Sequence, residues 1–439
     1  MANKSLRIAF LILAIVLLVL AGFVFTHNLI DFPIYHLAGR SLLRGSTNLY
    51  DPNFSGGPVM DYRYPPFFLI AFLPLWTLPY KVAAYVWYVL CVAEIGLCVW
   101  AVRQAMRSCA VPLRENGKQL ASARFVWLIA LFTVGAYFVI ALHYGNAHLL
   151  ATALLFCSFY FAIWRRRIGI AALFIALAIT IKLTPVLILP YFALKRQWQF
   201  LILVGAFLVA LNLAPAAYFG FGQNAGLLKT WYRHVILEQE FHEANASINS
   251  SLKGQMRRYL TQVNYDQRFN ADKEYPAVNF AAWPQFFVET IAKSCDALLF
   301  VGGLSLIWWT ARARNNLPDT ASSVAFGDKR AAFLETGLMV CLMLLVSPHT
   351  WKIYYIALLW PVAALAHIAA SSKYVKRGLI LLAILNGVSP LLPGRTIQRA
   401  LLVVGLDFFV LAGLTGMLAY ALIRHRREYA SANCETLST

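Results

Sequence analysis

Asp31 is the residue of this chain whose type and position most favour acid–base chemistry. It is the first acidic residue, and it follows the first apolar segment, residues 8–25. A carboxylate at the outer end of a membrane helix is only partly desolvated, so it can stay ionised while it faces a half-dry cleft. Those two properties suit a general base.

Other polar residues that could complete a site with Asp31 lie in two later regions and one short turn. The region after Asp31 supplies Tyr35, Asp51, Asp61, Arg63 and Tyr64. A second region supplies His234, His242, Asn245, Asn249, Ser251, Lys253, Arg257 and Arg258, and the turn SPHTWK adds His349 and Lys352. Carboxylates in one region and cations in another predict an acid–base site beside an anion site, which suits a phosphate-bearing lipid.

These residues also have purely structural interpretations. Asp31 could cap a helix that begins at Pro33, although capping and catalysis are not exclusive. Arg257 and Arg258 could anchor the chain at lipid headgroups. His349 could be a satisfied histidine at the membrane interface. The sequence alone leaves these alternatives open.

The composition indicates a membrane protein. The chain has 439 residues, of which 60% are hydrophobic, and its formal net charge is +19. Apolar runs near 20 residues recur along it, as in membrane-spanning helices. The basic residues fall in short bursts between these runs, which is how polytopic proteins hold loops on the cytoplasmic side. We therefore expect the lipid bilayer, and no nucleic acid, as a partner.

The apolar runs predict an all-α polytopic fold with about twelve transmembrane or partly spanning helices. The predicted segments are residues 8–25, 83–102, 125–142, 147–164, 168–181, 186–194, 200–219, 290–309, 331–346, 354–370, 379–392 and 401–423. Residues 67–79 are apolar but too short to span, so they dip into the membrane or cap the next helix. The basic bursts place both termini in the cytoplasm.

We expect residues 1–439 to form a single membrane domain with two outer loops. Residues 27–66 form the first, in which Phe32, Tyr35, Ala38, Leu42 and Leu43 recur at helical spacing, opposite His36, Arg40 and Arg44. This pattern predicts an interfacial helix. Residues 220–284 form the second loop. Residues 428–439 form a short polar cytoplasmic tail, which is expected to be disordered.

One predicted helix is broken. The apolar segments 168–181 and 186–194 are separated by KLTP, and basic residues flank the pair on both sides. The pair is therefore expected to start and end in the cytoplasm. Irregular backbone cannot face lipid, so such a break usually lines a cavity.

Several motifs occur in an order that resembles a known family. They are DFPIYHLAGRSLLRG with NLYDP, YRYPPFFLIAFLPLWTLP, YGNAH, IKLTPVLILP, NSSLKG with its following arginines, and SPHTWK with YY and Pro361. From about residue 30 to 365 the chain resembles glycosyltransferase family 87, the polytopic mannosyltransferase-like enzymes of the C-type glycosyltransferase fold.

The resemblance implies a polyprenyl-phosphate-linked sugar donor, typically mannose, and a glycolipid or glycan acceptor, used on the outer face of the inner (plasma) membrane. It implies no nucleotide and no obligatory metal. The family's catalytic acidic residue follows the first helix and corresponds to Asp31, which would deprotonate the acceptor hydroxyl. The sugar would be transferred with inversion.

The candidate contacts to the donor phosphate or the substrate combine residues of the two polar regions and the turn with those that the resemblance supports, namely Asn249, Ser251 and Arg257 or Arg258. The full set is Tyr35, Arg63, Asn249, Ser251, Arg257, Arg258, His349 and Lys352. The family's SPxSWxHH turn reads SPHTWKIY here, so Ile353 and Tyr354 replace both usual histidines. His349 and Lys352 are the candidates to take over, with Lys352 as a phosphate contact.

Two other functions fit some of these features. A secondary transporter or lipid flippase could also have twelve spans and a broken helix, but it should show internal repeats, and the sequence has none. A polymer ligase that uses lipid-linked sugars would have the same outer geometry.

Overall fold

The computed structural model describes residues 16–46, 49–50, 62–109, 122–238, 249–262, 277–315, 328–369, 372–388 and 395–437. Every regular element within these ranges is a helix, which confirms the predicted all-α class. Asp51, Asp61, His242 and Asn245 lie outside the described residues.

The helices follow the predicted apolar segments closely. Those of the first half are α1 (Val16–Phe25), α2 (Phe32–Leu43), α3 (Pro66–Ala71), α4 (Leu73–Thr77), α5 (Tyr80–Cys109), α6 (Ala123–Tyr144), α7 (His148–Phe159), α8 (Ile168–Ile181), α9 (Leu189–Leu194), α10 (Trp198–Leu213), α11 (Ala216–Phe219) and α12 (Phe221–Trp231). Those of the second half are α13 (Leu252–Leu260), α14 (Gln285–Asn315), α15 (Lys329–Val346), α16 (Leu359–Ala364), α17 (Lys373–Val388), α18 (Arg395–Val404) and α19 (Leu406–Leu437). Short 3₁₀ turns at Thr26–Asn28, Thr184–Ile188 and Lys352–Leu358, and π turns at Tyr160–Trp164, Tyr232–Glu238 and Leu365–Ala369, complete them.

The lengths and surfaces of the helices fit a polytopic membrane protein. Five segments of the described chain are long and apolar enough to cross a bilayer, namely Tyr80–Cys109, Ala123–Tyr144, Trp198–Phe219, Gln285–Arg312 and Leu406–Glu428. Large apolar side chains on them point outward: Leu131 is 65% exposed, Ile202 71% and Leu298 74%. Lipid rather than water suits such a surface. The remaining apolar helices are shorter, and the count of twelve stays a prediction.

The core is centred on α15, whose residues from Ala331 to Leu345 are all buried. Trp360 of α16 packs there against Phe156, Phe159 and Phe333, with ring centroids 5.1–5.2 Å apart. Its indole N–H donates to the Thr336 hydroxyl at 2.9 Å, which satisfies the one polar group of the ring. Helix α15 also packs against α14 and α19.

The helix predicted from residue 32 exists as α2, but one residue assigned to its polar face was assigned wrongly. His36 was placed on the polar side and is instead buried, with its Nε2 3.1 Å from the Leu78 carbonyl. Helix α4 covers that side of α2. At Gly39 any Cβ would overlap the Trp76 indole, so the glycine permits this close approach.

The tail was expected to be disordered after Arg427, and this expectation was wrong. Helix α19 continues to Leu437. Arg424 and Glu428, one helical turn apart, form an ion pair of 2.9 Å. An i, i+4 pair of this kind supports a solvent-exposed helix end that carries few apolar residues.

The predicted topology can be tested by cysteine labelling. In a variant without native cysteines, Lys229→Cys should react with an impermeant maleimide in intact cells, because residues 220–284 are expected outside. Arg165→Cys should react only after the membrane is opened. Both wild-type side chains are exposed, so burial does not bias the comparison. The reverse labelling pattern would contradict the topology.

Candidate active site

The backbone and side chain of Asp31 are both bound to the turn between α6 and α7. Its amide donates to the Tyr144 carbonyl at 2.8 Å. Its carboxylate Oδ2 accepts a hydrogen bond of 2.5 Å from the Asn146 side-chain amide. Asp31 precedes α2 but makes no side-chain capping hydrogen bond. Asp31 thus occupies the N-cap position of α2, as its sequence context suggested, but its carboxylate does not cap the helix and binds the Asn146 turn instead.

A glycine makes this docking possible. Helix α6 ends at Gly145, whose φ of 60° is in the left-handed region that favours glycine. A Cβ at this position would also lie 3.1 Å from the Leu29 side chain and 3.3 Å from that of Phe32. The Gly145 carbonyl accepts from the Trp87 indole at 2.8 Å. The turn is thus fixed against the residues that flank Asp31.

Two tyrosines continue the polar contacts of Asn146. The hydroxyls of Tyr35 and Tyr64 are hydrogen-bonded to each other at 2.8 Å. The Tyr64 hydroxyl donates to Asn146 Oδ1 at 3.4 Å, and the His148 amide donates to the same oxygen at 2.7 Å. Burial raises the pKa of both Tyr35 and Tyr64, so both phenols remain protonated.

Lys182 reaches this group from the predicted helix break. Helix α8 ends there because Pro185 has no amide to donate to the Ile181 carbonyl, and its ring would clash with that carbonyl in a continued helix. Lys182 itself is extended, with φ −138° and ψ 123°. Its ammonium donates to the Tyr354 hydroxyl at 3.1 Å and lies 5.4 Å from the centre of the Tyr64 ring. We call Asp31, Tyr35, Tyr64, Asn146, His148, Lys182 and Tyr354 the Asp31 cluster.

The environment of Asp31 makes it more basic than an ordinary aspartate. Burial raises the pKa of its carboxyl above the usual 3.8. The hydrogen bond from Asn146 and the positive charges of Lys182 and Arg63 oppose that rise. Desolvation is the larger effect, so the carboxylate is a stronger base than one in water while a cationic neighbourhood still favours its ionised form.

A second polar group surrounds Asn249. Its side-chain oxygen accepts from the amides of Ser251 at 3.1 Å and Thr350 at 3.0 Å. Its side-chain nitrogen donates to the Pro348 carbonyl at 2.9 Å. Ser251 caps α13 by accepting from the Gly254 amide at 3.1 Å. Asn249 and Ser251 thus join the start of α13 to the SPHTWK turn.

Arg257 and Arg258 of α13 are 1% exposed and have protein partners. Arg257 forms an ion pair with Glu289 of α14. Arg258 donates to the Asn249 carbonyl at 2.6 Å and to the Gln255 side chain. These contacts hold α13 against its neighbours. The prediction that both arginines meet the donor phosphate is not tested by this arrangement.

His349 and Lys352 lie on the same turn but differ in surroundings. His349 is half-buried, and its carbonyl accepts from the Ser347 hydroxyl at 2.8 Å. The Lys352 ammonium lies 3.6 Å from the carboxylate of Asp407, and its side chain remains 35% exposed. Asp407 also accepts from the Tyr137 hydroxyl at 2.9 Å.

The SPHTWK turn connects the two polar groups. Thr350 binds Asn249 in one group, whereas Tyr354 belongs to the Asp31 cluster. Four residues span at most about 14 Å, so Thr350 of the Asn249 group lies within about 14 Å of Tyr354 in the Asp31 cluster. Of the predicted site residues, the structure brings Asp31 and Tyr35 together, and the charge of Arg63 acts on Asp31.

Four members of the cluster were not predicted to act at the site: Asn146, His148, Lys182 and Tyr354. Each could have been recognised from a sequence motif: Asn146 and His148 lie in the turn YGNAH, Lys182 lies in the break KLTP, and Tyr354 replaces a family histidine.

Among the residues that the structure describes, no three His, Cys, Asp or Glu side chains lie close enough to hold a metal ion.

Comparisons with known proteins identify the family of the chain. The model of glycosyltransferase family 87 matches residues 62–327. A polyprenol-phosphate-mannose-dependent alpha-(1-2)-phosphatidylinositol pentamannoside mannosyltransferase of Mycolicibacterium smegmatis (strain ATCC 700084 / mc(2)155) is 27% identical over 178 residues. That alignment covers 39% of this chain and 39% of the relative. No solved structure matches. Because the family model covers more than half of its length, the chain belongs to glycosyltransferase family 87.

Proposed function

We propose that this chain transfers a hexose, mannose by preference, from a polyprenyl-phosphate donor to a hydroxyl of a glycolipid or glycan acceptor, with Asp31 as general base. The observation that carries the proposal is the Asp31 carboxylate, which is buried, does not cap α2 and lies beside a half-buried lysine. The relative named above uses a polyprenol-phosphate-mannose donor, which supports the donor class.

The reaction needs one proton transfer and one displacement. Asp31 takes the proton of the acceptor hydroxyl as its oxygen attacks the anomeric carbon of the donor sugar. The bond between that carbon and the phosphate oxygen breaks, and polyprenyl phosphate leaves with the electron pair. Attack from the face opposite the leaving phosphate inverts the anomeric configuration. A positioned base contributes typically about 10²–10⁴-fold to such a step.

Asp31 lies before residue 62, where the family match begins. Its proposed role therefore depends on the geometry of the Asp31 cluster and on the motif DFPIYHLAGRSLLRG. Asn146 would act as a positioning residue, because its amide holds one carboxylate oxygen and leaves the other for the substrate. Tyr35 and Tyr64 would keep Asn146 in its orientation.

We place the active site on the outer face of the inner membrane, with both termini in the cytoplasm. The distribution of basic bursts supports this orientation. Family membership favours an enzyme over the transporter or flippase that the sequence also allowed.

The raised pKa of Asp31 predicts the pH dependence of transfer. The base works only when it is ionised, so kcat/KM should fall as the pH drops through the pKa of Asp31, above that of an ordinary aspartate. Asn146→Ala removes a hydrogen bond that stabilises the ionised form of Asp31, so the pKa of Asp31 should rise. The acidic limb of the pH profile of kcat/KM should then move to higher pH. His143→Ala, an exposed neighbour on the same turn, should leave the limb in place. An unmoved acidic limb in the Asn146 variant would contradict the assignment.

The arginines of α13 and Lys352 give a second kinetic prediction. If Arg257, Arg258 and Lys352 contact the donor phosphate, alanine at each should raise the KM for donor more than the KM for acceptor. Lys352 should show the clearest effect, because its charge is the most exposed of the three. An equal change in both KM values, together with a lowered melting temperature, would reduce the arginines to a structural role.

A further inference from the structure

His148 has an unusual environment for a histidine in a packed region. It is 3% exposed, and neither ring nitrogen has a hydrogen-bond partner among the residues that the structure describes. Its ring stacks on Tyr354 with centroids 4.1 Å apart and planes 25° apart. The ring orientation is thus fixed by packing, although its polar atoms are not satisfied.

Such a histidine is costly to the fold. A buried donor or acceptor without a partner loses its hydration and regains nothing. Most buried polar groups in proteins are therefore paired, and an exception at a candidate site calls for an explanation. Here the explanation that fits is a ligand whose polar atoms meet the two nitrogens.

The surroundings of His148 specify the kind of ligand. His148 is the first residue of α7, a 12-residue helix whose dipole is positive at this end, although the His148 amide itself donates to the Asn146 side chain. A helix N-terminus of this kind attracts an anion. Tyr354 joins the ring to Lys182, because the Lys182 ammonium donates to the hydroxyl of the same tyrosine on which His148 stacks. A fixed positive charge therefore lies beside the orphaned imidazole.

We propose that His148 and Lys182 form the subsite that holds the sugar phosphate of the donor. A neutral imidazole has one donor and one acceptor nitrogen. A phosphate alone would satisfy only the donor. A sugar phosphate supplies an oxyanion for the N–H and for Lys182, and a sugar hydroxyl for the other nitrogen. This inference rests on the proposed function and adds the residues that bind the sugar phosphate of the donor.

The proposed subsite and the base are held by the same turn. Asn146 binds Asp31 through its side-chain nitrogen and accepts the His148 amide with its oxygen. One turn thereby fixes the distance from the base to the subsite. Lys182 is only partly buried, so the cluster is open to a ligand on the lysine side. When the sugar leaves, Lys182 remains next to the phosphate that gains charge.

Binding of polyprenyl monophosphate, the sugar-free leaving group, tests the subsite without turnover. Its dissociation constant would be measured in detergent micelles for the full chain. Lys182→Met should weaken binding by about tenfold or more, since it removes a charge-assisted contact. His148→Phe keeps the stack on Tyr354 but loses both nitrogens, and should weaken binding about fivefold or more. Lys182→Arg should retain most of the binding.

Matched controls come from exposed residues of the same types. His143→Phe on the same turn and Lys81→Met at the start of α5 should bind like the wild type. Each variant would first be checked for a wild-type melting profile. If Lys182→Met does not fold, Lys182→Gln takes its place.

Two further ligands separate the possible sources of the phosphate. Polyprenyl alcohol lacks the oxyanion, so its binding should be unchanged in both variants. Phosphatidylglycerol should be affected far less than polyprenyl monophosphate. Equal losses for both lipids would overturn the assignment, because the site would then be a general headgroup contact.

The test also distinguishes the subsite from the proposed function. Asp31→Asn should bind polyprenyl monophosphate at least as tightly as the wild type, since it leaves Lys182 and His148 in place and removes a negative charge near the phosphate. Wild-type affinity in both Lys182→Met and His148→Phe would overturn the subsite and leave the role of Asp31 untouched. Continued transfer by Asp31→Asn would rule out Asp31 as the general base. The binding data would still show whether His148 and Lys182 bind the phosphate.

Discussion

Replacing Asp31 by asparagine should reduce sugar transfer by about 10²–10⁴-fold, the usual contribution of a general base. The substitution is nearly isosteric, and the new side-chain oxygen can still accept the hydrogen bond from Asn146. Since Asp31 makes no capping bond, α2 should be unaffected. Donor binding should therefore persist while turnover is lost. Transfer of radiolabelled sugar by purified protein measures this directly.

Asp51 and Asp61 provide the control variants, because they belong to the same predicted outer loop. Asp51 lies between Tyr50 and Pro52 in a sequence typical of a turn. Asp61 neighbours Arg63 in sequence, and an ion pair there would make it a weaker base. Both asparagine variants should retain most of the transfer. If either lost it while Asp31→Asn stayed active, the base would be misassigned.

Replacing Lys195 by methionine should destabilise the fold strongly. Its ammonium lies 2.7 Å from the carboxylate of Glu335, whose side chain is fully buried, and the Tyr191 hydroxyl donates to the same carboxylate at 3.1 Å. This contact joins the helix pair α8–α9, between which Lys182 lies, to the central helix α15. Removing one partner of a buried ion pair costs roughly 3–5 kcal/mol, because the other charge stays buried.

The effect would be read as the melting temperature in detergent at a fixed scan rate, since membrane proteins often unfold irreversibly. Lys195→Met should melt several degrees below the wild type. Arg196→Met, the exposed neighbour, should not. The double variant Lys195→Met with Glu335→Met should recover much of the loss, because the buried carboxylate is removed together with the ammonium. A wild-type melting temperature in the Lys195 variant would show that the pair contributes little.

The helices were largely predictable from the sequence, because runs of about 20 apolar residues have few alternatives in a bilayer. The break at KLTP was also predictable, because the effect of Pro185 on the backbone is local and can be recognised from the sequence alone. The outcome at His36 was not. Its position followed from helical periodicity, but burial depends on α4, whose Trp76 packs over Gly39.

The candidate site was predictable only in part. Asp31 stood out because it follows an apolar helix, and Tyr35 lies one helical turn beyond it. The partners of Asp31 come from residues 115 positions later at Asn146 and further on at Lys182. No local pattern specifies such contacts, since they arise when the α6–α7 turn and the helix break meet in the folded chain.

The side-chain capping bond that the sequence suggested for Asp31 is absent for a related reason. Asp before Pro33 is a good local signal for a helix start. In the structure the same carboxylate meets the Asn146 amide instead. A long-range hydrogen bond thus replaced the local one, as is common where a side chain serves a site rather than its own helix.

The most direct test of the whole account is transfer by the wild-type protein itself. Purified chain in detergent would be incubated with radiolabelled polyprenyl-phosphate mannose and an extract of membrane glycolipids, without nucleotide sugar. We expect label to move into a larger glycolipid, and we expect Asp31→Asn protein to transfer about 10²–10⁴-fold less of it. If folded wild-type protein binds the donor but transfers no label to any acceptor in the extract, the proposed reaction is contradicted.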